Sequence, residues 1–238
     1  DCSSVSVPFN AVLVFDNSVA MGGTRMNYMR EAVRSFADSV DPSRTKIGLV
    51  AYHFAPELLS PLTTDFDALA EAAQAFFPRQ GSNLTVGIRT GVQVREEGRD
   101  PGDEREEVMV LLVGSENDGG PDEALAAVDE AKARGITVIA IAGGPEADVE
   151  MLEAMASSAQ HFHSEGTASR LPSLFATIAG SIGSVQLTGA SVTTTLPESL
   201  AFVFGSSFPV PRVQGRTLTW QFGVWPPNGL AIEFGVRP

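Results

Sequence analysis

The sequence has little of several features that define common classes of protein. It contains one cysteine, Cys2, which excludes a disulfide framework within the chain. No apolar run is long enough to span a membrane. Basic residues are also scarce, since 16 Lys and Arg against 29 Asp and Glu give a formal net charge of -13. Nucleic-acid binding needs a basic surface. We therefore expect neither a membrane span nor a nucleic-acid partner.

Apolar periodicity predicts the fold of the first three quarters of the chain. Short apolar runs such as 11–15, 108–113 and 136–141 alternate with segments whose apolar residues recur at helical spacing. Continuous apolar runs are typical of parallel strands that helices cover on both faces. Strands that alternate with helices predict an α/β fold with a doubly wound, mostly parallel, Rossmann-like sheet.

The character of the sequence changes after Ser184. Apolar and polar residues alternate in segments such as Leu218–Phe222, which predicts strands with one buried face. We expect an α/β domain over 8–184 and a small antiparallel, β-sandwich-like module over 185–238. About 55 residues make a marginal core. The module is therefore expected to pack on the α/β domain, to borrow residues 3–9 as a strand, or to be part of a larger sandwich.

The clearest functional signal is an aspartate that ends the first predicted strand. Asp16 follows the apolar run 11–15, and a carboxylate there is costly to bury unless something pairs with it. Ser18 follows two residues later, on a loop that leaves the strand. A carboxylate and a hydroxyl at this spacing can face the same hard cation.

The element order and two loop motifs resemble the von Willebrand factor A (VWA) family. Residues Asp16–Ala20 (Asp-Asn-Ser-Val-Ala) are similar to the first segment of the family's metal-ion-dependent adhesion site, Asp-x-Ser-x-Ser. Residues Gly81–Asn83 are similar to the family's Gly-Thr-Asn loop, whose hydroxyl is another metal ligand. The resemblance implies that Asp16, Ser18 and Ser82 stand at ligand positions.

Two other ligand positions depart from the family pattern. Ala20 replaces the third ligand of the first segment, and Gly114 stands where the family has the aspartate of a Thr-Asp-Gly sequence. Glu116 and Asp118 lie in the same loop and are the candidates to substitute for that carboxylate. One carboxylate and two hydroxyls offer a hard divalent cation little charge. We therefore expect no resident cofactor, and any binding of Mg²⁺, Mn²⁺ or Ca²⁺ would be weak.

Without an ion, the aspartate that ends the first strand needs another partner. The simplest expectation is that Asp16 accepts hydrogen bonds from backbone N–H groups of its own loop, as in an Asx turn. Ser18 and Ser82 are further candidate donors to its carboxylate.

The sequence supports no enzymatic arrangement. Neither a nucleophile–base pair nor an acid–base pair of carboxylates is evident, and the glycine pairs at 22–23 and 143–144 lack the other residues of nucleotide-binding loops. We expect a non-enzymatic protein-binding or adhesion module. In the VWA family, an acidic side chain of the partner usually completes the metal coordination. Here we expect binding through loops 16–25, 80–84 and 114–121 without a bridging ion.

Three alternatives remain open from the sequence. The sequence is also compatible with a metal-dependent adhesin that has a rewired cation site, with an intracellular VWA subunit partnered with an ATPase, and with a structural domain of a larger surface protein. The β module and the scarcity of cysteine favour an extracytoplasmic location, either secreted or on the cell surface.

Overall fold

The computed structural model describes residues 8–100, 102–182, 188–207, 210–224 and 232–237. Contacts divide these residues into two compact units, one within Val7–Gly183 and one within Ser184–Pro238. The expected domain limits, 8–184 and 185–238, stay a prediction about how the two parts fold.

The larger unit is a six-stranded sheet with helices on both faces. Its strands are β1 (Phe9–Asp16), β2 (Thr45–Tyr52), β3 (Pro56–Thr63), β4 (Glu106–Val113), β5 (Ile136–Ala142) and β6 (Phe162–Ser164). Its helices are α1 (Thr24–Asp38), α2 (Phe66–Ala72), α3 (Leu84–Gly98), α4 (Pro121–Ala133), α5 (Val149–Met155) and α6 (Leu171–Ser181). The strand order is β3-β2-β1-β4-β5-β6, and every neighbouring pair is parallel except β2 and β3. This confirms the predicted doubly wound, mostly parallel sheet.

Alternate side chains of the central strands supply two separate cores. Leu13 and Phe15 of β1 pack on the face that α1, α2 and α6 cover, whereas Val12 and Val14 pack on the face that α3, α4 and α5 cover. Every residue of β1 is buried. This two-sided burial is the physical reason for the continuous apolar runs in the sequence.

The edges of the sheet also follow from the sequence. β3 is an edge strand and contains Pro56 and Pro61, which donate no backbone hydrogen bond and are tolerated at an edge. α4 begins with Pro121, followed by acids in its first turn, which suits the positive end of the helix dipole. No helix in the described ranges is long and apolar enough to cross a membrane.

The smaller unit contains antiparallel strands in two small sheets. β7 (Thr188–Thr195), β9 (Arg212–Gln214) and β10 (Thr217–Val224) form one sheet in the order β7-β10-β9. β8 (Ala201–Phe202) pairs with β11 (Val236–Arg237) in the other. This confirms the predicted small antiparallel sheet at the C-terminal end of the chain.

The segment 3–9 was a candidate strand for this smaller unit. Residues 3–7 lie outside the described residues. Phe9 pairs with Thr45 and with Glu106, so it is the first residue of β1 in the larger sheet. Phe9 therefore belongs to the core of the larger unit, and the completion of the smaller unit by the rest of this segment stays a prediction.

Candidate binding site at the carboxyl ends of the strands

Asp16 lies where the strand order of the large sheet reverses. β1 is flanked by β2 on one side and by β4 on the other. The loop 17–23 follows β1 and the loop 114–120 follows β4, so both leave the sheet at its topological switch point. This is the position at which doubly wound sheets bind ligands.

Four hydrogen bonds hold the carboxylate of Asp16, which is fully buried. Its Oδ1 accepts from the backbone N–H of Ser18 at 2.8 Å, which confirms the predicted Asx turn. Its Oδ2 accepts from the N–H groups of Gly114 and Ser115, both at 3.0 Å, and from the Ser115 hydroxyl at 2.7 Å. These donors offset the cost of removing the carboxylate from water.

The hydroxyl of Ser115 connects the first two candidate metal ligands. It donates to Asp16 Oδ2 and accepts from the Ser18 hydroxyl at 3.1 Å. Ser115 is itself buried, so water does not compete freely for these bonds. A cation shared by Asp16 and Ser18 would have to displace this hydroxyl.

Ser82, the third candidate ligand, is joined by its backbone to the loop that follows β4. Its N–H donates to Asp118 Oδ2 at 2.6 Å, and its carbonyl accepts from the N–H of Asp118 at 2.7 Å. The Ser82 hydroxyl is buried near the Tyr52 hydroxyl. Among the residues described, neither hydroxyl forms a hydrogen bond that meets the usual distance and angle limits. The hydroxyl of Ser82 therefore does not belong to the network around Asp16.

Tyr52 ends β2 under the site. Burial raises the pKa of its hydroxyl well above the ordinary value, and the negative charge of Asp16 raises it further. The nearby Ser82 hydroxyl offsets part of this rise by favouring the ionised form. Tyr52 is consequently neutral at physiological pH and adds no charge to the site.

Neither candidate substitute carboxylate joins the network of Asp16 and Ser18. Glu116 is exposed to solvent. Asp118 is exposed as well, and its carboxylate is engaged by the N–H of Ser82. Across the described part of the chain, no group of three or more His, Cys, Asp and Glu side chains is arranged to hold a metal ion.

Two neighbouring positions lack side chains that could complete a cation site. Ala20 lies in a short 3-10 turn, Val19–Met21, and carries only a methyl group. At Gly114, an added Cβ would come within 2.0 Å of the Sδ of Met21. The buried thioether of Met21 therefore occupies the space that a carboxylate at position 114 would need.

The donor set does not fit a hard divalent cation. Mg²⁺ and Ca²⁺ take at least about six oxygen ligands, several of them negatively charged in a tight site. Asp16 is the one carboxylate of the network, and it already accepts four hydrogen bonds. The bonds that a cation would supply are made instead by protein donors.

Further hydrogen bonds join the loops around Asp16 to one another. The N–H of Arg79 donates to the carbonyl of Asn17 at 2.9 Å. The side chain of Asn117 accepts from the N–H of Leu84 at 2.9 Å and donates to the carbonyl of Gly120 at 2.6 Å. These hydrogen bonds connect the three loops directly.

Sequence reasoning missed Ser115 and Asn117. Ser115 is 99 positions from Asp16, and Asn117 is 33 positions from Leu84, so no local spacing brings either pair together. One usable signal was present, because Ser115 is a hydroxyl residue directly beyond the position where the family carries its last carboxylate.

A family model described as von Willebrand factor type A domain matches residues 10–177. The chain belongs to this family. Uncharacterized protein sll0103 of Synechocystis sp. is 23% identical over 156 residues, which are 65% of this chain and 36% of that protein. The chain thus spans about a third of the length of this curated relative.

Two solved structures show the same fold at low sequence identity. The pilus adhesin SpaC from Lactobacillus rhamnosus GG, in an open conformation, has a TM-score of 0.76 and 15% identity over 97% of this chain and 39% of that one. Proximal thread matrix protein 1 from the mussel byssus, with a zinc-occupied metal-ion-dependent adhesion site, has a TM-score of 0.65 and 18% identity over 81% of this chain and 50% of that one. The structural neighbours of the chain therefore include an adhesin and a matrix protein.

Proposed function

We propose that this chain is a non-enzymatic protein-binding module that works without a bridging divalent cation. The observation that carries the proposal is the Ser115 hydroxyl, which bonds to both Asp16 and Ser18. An ion at this place would normally accept an acidic side chain of the partner. Because the Ser115 hydroxyl takes the place of such an ion, the partner contacts the loops 16–25, 80–84 and 114–121 directly.

The hydrogen bonds between the loops support a binding role. The backbone of Ser82 is fixed to Asp118, and Asn17 is fixed to Arg79. A surface whose loops are already ordered loses less conformational entropy when a partner binds. An ion is therefore not needed to organise this face of the domain.

The chemical state of the buried groups favours binding over catalysis. Asp16 is fully buried behind its hydrogen-bond donors, so its carboxylate is not presented to a substrate as a base. Tyr52 is kept neutral by its raised pKa. The Ser115 hydroxyl that bonds to Asp16 is itself buried, so it is not presented to a substrate as a nucleophile.

We also propose an extracytoplasmic location, secreted or on the cell surface. The support is that structures with this fold include a pilus adhesin and a protein of the mussel byssus. The whole protein's partners belong to the same proposal, because the chain spans only part of these relatives.

Thermal unfolding with and without divalent ions tests the independence from metal. A site saturated at 100 times its Kd adds about 2.7 kcal/mol to the free energy of unfolding. In a domain of this size that raises Tm by about 5–10 °C. We expect millimolar Mg²⁺, Mn²⁺, Ca²⁺ or Zn²⁺ to leave Tm unchanged to within about 1 °C.

A variant that restores the family's residues is the matched control. Ala20→Ser, Gly114→Asp and Ser115→Gly together add a hydroxyl and a carboxylate and remove the competing Ser115 hydroxyl; Met21 must also move to admit the new side chain. This variant should gain an ion-dependent rise in Tm, and adding Asp16→Ala should abolish that rise. A rise of several degrees in the unchanged chain, lost in Asp16→Ala, would contradict the proposed function.

A further inference from the structure

Three apolar side chains stand exposed beside the Asp16 network. Val19, Phe54 and Phe77 are 54%, 62% and 66% exposed, and we call these three residues the apolar rim. Val19 follows β1, Phe54 follows β2 and Phe77 lies between α2 and α3, so all three are in loops at the carboxyl edge of the sheet. Exposed aromatic side chains gathered at a candidate site are typical of an interaction surface.

Contacts with backbone hold the loops of the apolar rim side by side. The ring of Phe54 packs directly on Gly81, where an added Cβ would come within 2.5 Å of the ring atoms. Pro78, which follows Phe77, lies against Gly22, where an added Cβ would be 3.5 Å from the proline ring. The loops that carry the apolar rim are therefore neighbours in the fold.

The charged residues in the loops around the apolar rim are of both signs, because Arg25 lies in the first turn of α1 just after the loop of Val19, but exposed carboxylates outnumber unpaired basic groups. Arg79 lies in the same loop as Phe77, but Glu57 neutralises it through an ion pair of 2.6 Å. In the loops that follow β4 and β5, Glu116 and Glu146 are exposed and take part in no ion pair among the residues described. The loop of Glu146 lies close to that of Glu116, since an added Cβ on Gly144 would come within 2.1 Å of the Gly114 carbonyl oxygen.

We propose that the apolar rim and these acidic loops together dock a protein segment that carries a basic side chain beside an apolar one. The inference rests on the proposed function, because a bound divalent cation would change the sign of the local charge. Without that cation, an acidic side chain of a partner meets exposed carboxylates of like charge. A Lys or Arg side chain is attracted to them, while an adjacent apolar side chain covers the two phenylalanines.

The inferred partner chemistry is the reverse of the usual mechanism of the family. There, a positive ion selects an acidic side chain of the partner. Here, negative side chains next to exposed aromatic rings select a basic and apolar segment. Charge sets the sign of the preference, and the apolar rim supplies the buried area that dominates affinity at the centre of an interface.

Selection from a random twelve-residue peptide library displayed on phage, with the full chain immobilised in the presence of EDTA, tests this inference. We expect the selected peptides to be enriched in Lys or Arg next to aromatic or aliphatic residues. Phe54→Ser with Phe77→Ser should weaken binding of the synthetic peptides at least about tenfold. Glu116→Gln with Glu146→Gln should weaken it too and reduce its dependence on salt.

Phe204→Ser is the matched control, because Phe204 is an aromatic residue of the smaller unit that is 75% exposed. It should leave peptide binding unchanged. Selection of acidic peptides, equal binding by the Phe54 and Phe77 variant, or no enriched peptide at all would overturn the inference. A parallel selection in Mg²⁺ separates the two proposals, since acidic peptides that need Mg²⁺ would overturn the proposed function as well.

Discussion

At the scale of single residues, the hydrogen bonds of Asp16 follow from the cost of burying a carboxylate. An unpaired buried charge is unstable, so the group must meet an ion, a base or several donors. In this chain the donors are backbone N–H groups and the hydroxyl of Ser115. The same aspartate that serves a metal in its family is here a fixed point of the hydrogen-bond network.

The raised pKa of the Tyr52 hydroxyl predicts how the stability of the fold changes at alkaline pH. The folded state holds the proton of Tyr52 because its pKa is raised, whereas the unfolded chain releases it near the ordinary value of 10.0. Below pH 10 the ionisation of Tyr52 therefore does not lower the free energy of unfolding. Above pH 10 the free energy of unfolding falls by about 1.4 kcal/mol per pH unit. Tyr52→Phe should remove this loss while changing stability little at pH 8.

Chemical denaturation between pH 8 and pH 12 measures the free energy of unfolding of the unchanged chain and of Tyr52→Phe. The sequence has two tyrosines, and Tyr28→Phe is the matched control. If Tyr52→Phe and the unchanged chain lose stability in parallel above pH 10, Tyr52 is not the group responsible for the loss. The same conclusion follows if Tyr28→Phe reduces the loss of stability above pH 10 as much as Tyr52→Phe does.

The sequence predicts part of this residue-scale chemistry and not the rest. The Asx turn of Asp16 is predictable because Ser18 is two positions away. The bonds from Gly114 and Ser115 are not, since they depend on the register of β1 against β4 over almost a hundred positions. Local spacing finds the group that needs partners, but only the fold determines which partners reach it.

Among the secondary-structure elements, the central strands can be predicted from the sequence because they are buried on both faces. β1 and β4 are parallel neighbours covered on both sides, and their apolar runs are continuous. The strands of the smaller unit are harder to predict, because β8, β9 and β11 contain only two or three residues. Their pairing in two separate sheets has no local signal of its own.

The burial of Trp220 in β10 leads to a prediction about the stability of the smaller unit. It is 1% exposed, its Nε1 donates to Ser207 Oγ at 3.0 Å, and its ring lies 5.3 Å from that of Phe234. Truncation of such a residue to alanine costs about 3–5 kcal/mol, more than a core of this size can lose. We expect Trp220→Ala to unfold the smaller unit while the larger unit stays folded.

Limited proteolysis of the Trp220 variant measures this outcome. A stable fragment that ends near Ser184 is the predicted product. Thr219→Ala is the matched control, because Thr219 is the preceding residue of β10 and points to the opposite face of the sheet. A single cooperative transition without that fragment would show that the two units fold as one, and the expected limits 8–184 and 185–238 would be wrong.

At the scale of the whole molecule, the net charge of -13 bears on the choice of partner. Net charge steers association, so an acidic chain approaches basic partners faster than acidic ones at low ionic strength. A cation at Asp16 would work against this preference on the binding face alone. The Ser115 hydroxyl at this place is uncharged, so it leaves the preference set by the net charge unaltered.

A high-resolution crystal structure of the chain grown in millimolar Mn²⁺, with anomalous diffraction measured at the manganese edge, would show whether a cation binds at Asp16. We predict no anomalous peak among Asp16, Ser18 and Ser82. We also predict that the Ser115 hydroxyl stays within hydrogen-bond distance of Asp16 Oδ2 and Ser18 Oγ, near the 2.7 Å and 3.1 Å found here. A manganese peak at this position, with the Ser115 hydroxyl turned away, would instead show that Asp16 and Ser18 bind a divalent cation.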